Sequence, residues 1–162
     1  MRTTSVIKGA FMKFASAATP NQTAVDVSLL IIRVIVGTIM AAHGSQKVFG
    51  AFGGPGLTAI AEMMGPVGYL VAIGEFFGGL GMMVGFLSRF SAAANIVIML
   101  GAIAMVHGKN GFFQSASGFE YNLALIGLLA PILIAGPGRY AIGRFLPLPK
   151  SSATGRPLIG LE

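Results

Sequence analysis

Five ionisable residues sit inside, or at the ends of, stretches otherwise apolar enough to cross a membrane. Arg33 interrupts residues 27–42, Glu75 interrupts residues 67–87, and His43, His107 and Glu120 stand at segment ends. A charge at the centre of a membrane helix costs about 2.5–3.5 kcal/mol even on insertion scales, so such residues persist where they pair, face a wet cavity or do chemistry. Imidazole titrates near neutral pH and can carry protons, and a carboxylate in low dielectric holds its proton more readily. A pocket lined by His43, Glu75, His107, Glu120 and aromatic rings therefore suits proton-coupled handling of a quinone headgroup, whose carbonyl oxygens need groups that give and take protons. Lys47, one turn beyond His43, repels a cation and favours an anionic or carbonyl-bearing ligand. No spacing enforces a metal or a haem between the two histidines, and no metal site is assigned.

Arg33 lies about 10 Å inward from Asp26, and Glu75 about 12 Å inward from Val67, at the helical rise per residue. Antiparallel neighbours would leave a gap that a guanidinium can bridge, and arginine is the cation best shaped for a carboxylate. The expectation is an Arg33–Glu75 ion pair tying the first two spans together. Removing one partner of such a pair strands a buried charge at about 3–5 kcal/mol. Glu120 has a second explanation, since a carboxylate at a helix N-terminus is favoured by the helix dipole.

The elements that must position these groups follow from hydropathy. The chain is 54% hydrophobic and only 10% charged, against about 25% charged residues in soluble domains, so it reads as an integral membrane protein. Residues 27–42, 67–87, 90–106 and 121–135 are each near the ~20 residues that span a bilayer core. Runs of this length and continuity read as helices, which satisfy their own backbone in lipid. The fold class expected is all-α: an antiparallel four-helix transmembrane bundle with an N-terminal interfacial helix. Residues 1–24 form the interfacial segment, 25–146 the transmembrane domain, and 147–162 a basic C-terminal tail.

Lysine and arginine set the orientation. One side holds Arg2, Lys8, Lys13, Arg89, Arg139, Arg144, Lys150 and Arg156, and the other only Lys47 and Lys109. Both termini are thus expected in the cytoplasm, with His43, Lys47, His107, Lys109 and Glu120 at the outer rim. The net charge of +6 reflects this topology and is not read as a nucleic-acid surface. The chain has no cysteine, which removes thiolate nucleophiles and disulfides.

Gly74, Gly78, Gly81 and Gly85 recur at spacings of four, three and four and form a groove that lets a neighbouring backbone approach. Met82, Met83, Met99 and Met105 read as apolar filler. The glycine-rich loop 44–66 carries a short helix at 57–64, and the loop 108–119 carries Phe112 and Phe113. Phe49, Phe52, Phe112, Phe113 and Phe119 are expected at the interface, as headgroup anchors.

The ordered set Arg33, Gly37, His43-Gly44, Lys47, Glu75, Gly78-Gly79, Gly85, Arg89, Met99, Ala102-Ile103, His107, Gly111-Phe112, Glu120-Tyr121-Asn122 and Gly136-Pro137-Gly138-Arg139 resembles the DoxX family of small four-helix membrane proteins, over residues 25–144. Members typically continue the last motif with a serine and an aspartate, where Ala141 and Gly143 stand here. The resemblance implies a bacterial inner-membrane protein of a quinone-linked or redox-homeostasis assembly. Its partners would be the lipid bilayer and a protein complex or further copies of the chain, and quinone is the one cofactor suggested. The alternatives are an accessory subunit stabilising a larger respiratory or photosynthetic complex and, less favoured, a small-molecule transporter. No catalytic residue is assigned.

Overall fold

A computed structural model of the protein describes residues 21–145, and every regular element among them is helical. Helix α1 (Gln22–Phe49) opens on Asn21, whose side chain accepts a hydrogen bond from the Thr23 backbone N–H at 3.0 Å. It ends where Gly50 turns left-handed (φ 70°), a conformation that costs glycine little. The apolar stretch alone stops the expected span at residue 42. The helix runs on to Phe49 because Ser45, Gln46, Lys47 and Val48 carry no turn signal, so His43 and Lys47 are helical residues on one face.

Helix α2 (Gly56–Met64) is short and leads at once into α3 (Pro66–Val84), which begins on a proline and stops at the left-handed Gly85. Helix α4 (Ser88–Ala102) passes without a break into a π-helical turn, Ile103–His107, and a 3-10 turn, Gly108–Asn110. A further 3-10 turn, Gln114–Ala116, precedes α5 (Glu120–Ala135), and the described chain closes on a last one, Ile142–Phe145. Gln22–Phe49, Pro66–Val84 and Ser88–Asn110 are long and apolar enough to cross a membrane, while Glu120–Ala135 is apolar but shorter. The expected C-terminal tail lies outside the described residues, as does the expected interfacial segment apart from residues 21–24.

The helices pack α1 on α3, α3 on α4, α4 on α5, and α5 back on α1, with α2 against α3 and α1. Val36, Met40, Met82, Ala92, Met99, Leu125, Leu129 and Ile132 form the shared core. Large apolar side chains such as Ile31, Leu70, Phe77, Val97 and Ile134 point outward. That inversion of the water-soluble pattern is expected of helices whose outer faces meet hydrocarbon.

Glycine sets how the helices meet. A Cβ at Gly79 would lie 2.4 Å from the Ala41 nitrogen and 2.7 Å from the Gly37 oxygen, and one at Gly44 would lie 2.2 Å from the Phe76 nitrogen. These three glycines put the α1 and α3 backbones in contact and lock their register. The expected groove faces the other way. Gly74, Gly78 and Gly81 meet Ile98, Asn95 and Ser91 of α4, and Gly78 makes room for the fully buried Asn95 amide. Gly85 lies against Ala141 and the Arg33 guanidinium.

Candidate functional site

The polar residues divide between two ends of the molecule. At one end, Arg33 is 1% exposed, and its guanidinium donates to the carbonyl oxygens of Pro137 at 2.8 Å and Tyr140 at 2.7 Å. Asp26 is also buried and accepts from the Arg139 backbone N–H at 3.0 Å, with the Arg139 Nε 3.7 Å from its other oxygen. The Gly143 N–H donates to the Gly85 carbonyl at 3.1 Å. Residues 136–145 thus form a strap pinned across the ends of α1 and α3. The hydrogen bond from Arg139 to the Tyr140 hydroxyl raises the pKa of Arg139 still further, so it stays charged.

The expected Arg33–Glu75 pair is not formed. The Arg33 guanidinium lies beside Gly85, and Glu75 is ten residues back along α3, about 15 Å at the helical rise. Depths counted from the ends of apolar segments misplace both groups, because α1 extends past its apolar stretch and the glycine contacts fix the register. Glu75 instead accepts from Lys47, in an ion pair whose side chains are 4% and 22% exposed. A lysine taken as a rim charge is therefore the partner of the buried acid.

At the opposite end, a cavity of about 850 Å³ opens among α1, α3, α4 and α5. His43, Lys47, Glu75 and His107 line it, together with Gln114, Tyr121 and Asn122, and apolar side chains form the rest of its wall. The His43 and Tyr121 rings stand 6.1 Å apart. His107 is carried on the π-helical turn, a distortion often found at functional sites. Its Nδ1 lies 2.8 Å from the Ser117 carbonyl oxygen. A carbonyl only accepts, so Nδ1 carries the proton and Nε2 is the acceptor of the neutral ring. Asn122 donates to the Met99 sulfur at 3.5 Å.

Of the sequence candidates, Arg33 and Glu120 do not line this cavity. Glu120 stands in the first turn of α5 and accepts from the Gln114 backbone N–H at 2.7 Å, which holds the 108–119 loop in place and sets Gln114 at the cavity. The phenylalanines expected as anchors also pack on one another: Phe112 meets Phe113 and Phe119 edge-on at 5.3 and 5.4 Å, and Phe49 meets Phe76 at 5.1 Å. Phe113 remains 66% exposed, so an anchoring role is compatible with this packing. Sequence reasoning missed Gln114, Tyr121 and Asn122 as lining residues; the signal was the adjacency of Tyr121 and Asn122 to Glu120. It also missed Asp26 as the acceptor for Arg139. Among the described residues no group of three or more histidines and acids is placed to hold a metal ion.

The sequence model of the DoxX family matches residues 28–108. Inner membrane protein YqjF of Escherichia coli is 31% identical over 124 residues, which cover 75% of this chain and 93% of that protein. An uncharacterized membrane protein of Mycobacterium tuberculosis, Rv3486, is 27% identical over 139 residues, covering 74% of this chain and 81% of its own length. No solved structure matches. A family model covering half of the chain, and a relative above 30% identity aligned over nearly its whole length, place this protein in the DoxX family of membrane proteins.

Proposed function

We propose that this protein binds a quinone headgroup in the cavity between its helices and serves a quinone-linked or redox-homeostasis assembly of the bacterial inner membrane. In this reading α1, α3, α4 and α5 cross the bilayer as an antiparallel bundle with both termini in the cytoplasm, so the cavity faces outward. The similarity to an inner membrane protein and the excess of arginine at the strap end support the location and the orientation.

The observation that carries the proposal is the His107 ring. Its Nδ1–H is held by the Ser117 carbonyl, leaving Nε2 to accept a hydroxyl proton from a reduced headgroup. Lys47, held by Glu75 at the same cavity, supplies the complementary donor to a carbonyl oxygen. The chain's part is binding and proton exchange, and the electrons pass between the quinone and a partner protein.

The test is purification from the native membrane in mild detergent, with extraction and quantification of bound quinone. The wild-type protein is expected to retain quinone in proportion to protein. His107→Ala should keep the fold yet lose about tenfold in affinity, the value of one hydrogen bond to a polar partner. Lys47→Gln is made together with Glu75→Gln, so that no buried carboxylate is left unpaired, and should lose as much. A quinone-free protein recovered only within a larger complex would overturn the proposal in favour of an accessory subunit.

A further inference from the structure

The cavity continues beyond its polar end. Along α4 and the π-helical turn that continues it, Phe90, Ala94, Val97, Gly101 and Met105 all line it, and their spacings of three and four put them on one face. That stripe runs fifteen residues, about 22 Å at the helical rise. Val67, Leu70 and Val71 of α3 line the cavity beside the Gly101–Met105 part of the stripe, since Gly74 lies on Ile98 and Gly81 on Ser91. The slot between them is open to the outside, since Leu70 is 72%, Val97 68% and Phe90 69% exposed. It is also shallow in side chains at its centre: a Cβ on Gly101 would meet nothing nearer than the Met105 methyl at 3.6 Å. Polar groups gather at one end only, where Lys47, Glu75, His107, Gln114 and Tyr121 line the wall.

We infer that the site takes a membrane amphiphile with an uncharged, carbonyl-bearing head and a long hydrocarbon chain, which enters sideways from the bilayer between α3 and α4 and lays its chain along the α4 stripe. This rests on the headgroup reading above. The head is uncharged because the one lysine that lines the cavity is already neutralised by Glu75, and Lys109 at the same end does not line it. A phosphate would need a free cation there, and the arginines of the described chain stand elsewhere, with Arg33, Arg89 and Arg139 around the strap. Lateral entry follows from the geometry: the slot faces the same direction as the lipid-exposed Leu70 and Val97, so a ligand never has to leave hydrocarbon. The tail gains little from the hydrophobic effect, since it moves from lipid to an equally apolar wall. Its role is to position the head.

Photolabelling in reconstituted vesicles tests this. The probes are a benzoquinone bearing a decyl chain with a diazirine at its terminal carbon, the same headgroup without the chain, and a phosphatidylcholine with the diazirine at one acyl end. The chain-end label is expected on residues 90–97 and on the facing turn of α3, and unlabelled decylbenzoquinone should compete it away. Ala94→Trp, or Ala94→Leu if the larger residue impairs folding, fills the slot and should cut this labelling about tenfold. The same variants should leave protection of the cavity by the tailless headgroup unchanged. A chain-end label spread evenly over all outward helix faces, with the tailless headgroup still protecting the cavity, would overturn this inference and spare the headgroup reading. Failure of both quinones to protect the cavity would overturn both. Saturable labelling of residues 90–97 by the phospholipid would overturn the uncharged head.

Discussion

The α1–α3 contact offers the sharpest test of the architecture, through Gly79→Ala. An added Cβ would stand 2.4 Å from the Ala41 nitrogen, 2.7 Å from the Gly37 oxygen and 2.9 Å from the Ala41 Cα. All three are backbone atoms of α1, so no side chain can swing away. Restoring ordinary contact requires the two helices to part by about 1 Å, a gap that forfeits a quarter to a half of each dispersion contact it opens. Overpacking of this kind costs about 1–3 kcal/mol, and the absence of any flexible neighbour puts this site near the upper figure. Against that stands the helix preference for alanine over glycine, about 1 kcal/mol. The net expectation is destabilisation by about 2 kcal/mol. Gly127→Ala is the internal control, because a Cβ there meets nothing within 4 Å, and only the favourable propensity remains. Gly74→Ala falls between the two, its one close neighbour being the flexible tip of Ile98 at 2.9 Å. Equilibrium unfolding in mixed detergent micelles, followed by circular dichroism, should separate Gly79→Ala from Gly127→Ala by about 3 kcal/mol. Agreement of the two within about 0.5 kcal/mol would refute the α1–α3 register. With it would fall the argument that parts Arg33 from Glu75.

Two further outcomes follow from the arginine end. Arg33→Met removes both donors to the strap, each a charged hydrogen bond worth about 1.5–3 kcal/mol, but also relieves a buried charge, so the net loss should be about 2 kcal/mol. Its specific signature is faster tryptic cleavage after Arg139 and Arg144 in detergent, and cleavage as slow as in the wild type would show that the strap is held by other means. Because the chain contains no cysteine, Lys109→Cys and Arg144→Cys report topology cleanly. A membrane-impermeant maleimide should label the first in intact cells and the second only after permeabilisation, and the reverse pattern would invert the proposed orientation.

Much of the helical layout was legible because helix formation is local. The short helix expected at 57–64 is α2 (Gly56–Met64), and the long apolar runs became α3, α4 with its extension, and α5. The stop at Gly136 was legible too, while the one at the left-handed Gly85 was not, since the expected span 67–87 runs through it. The end of α1 was not, because hydropathy marks where a helix is apolar and says nothing of where it stops. The glycines show the limit in another form. Their spacing on α3 announced close packing, but not that Gly79 would face α1 while Gly74, Gly78 and Gly81 faced α4.

What the sequence by itself determined, then, is the class of molecule: a chain too apolar for water, made of helices of membrane length, with titratable residues that demand a reason to be there. What the tertiary structure decided is which of those residues meet. Lys47 found Glu75, Arg33 found the carbonyls of Pro137 and Tyr140, and Glu120 turned to its own loop. Hydropathy and periodicity are properties of single segments. The vertical register between two helices is not, for it is set where Gly37, Gly44 and Gly79 let one backbone rest on another. A shift of one turn there would exchange every polar partner along the seam.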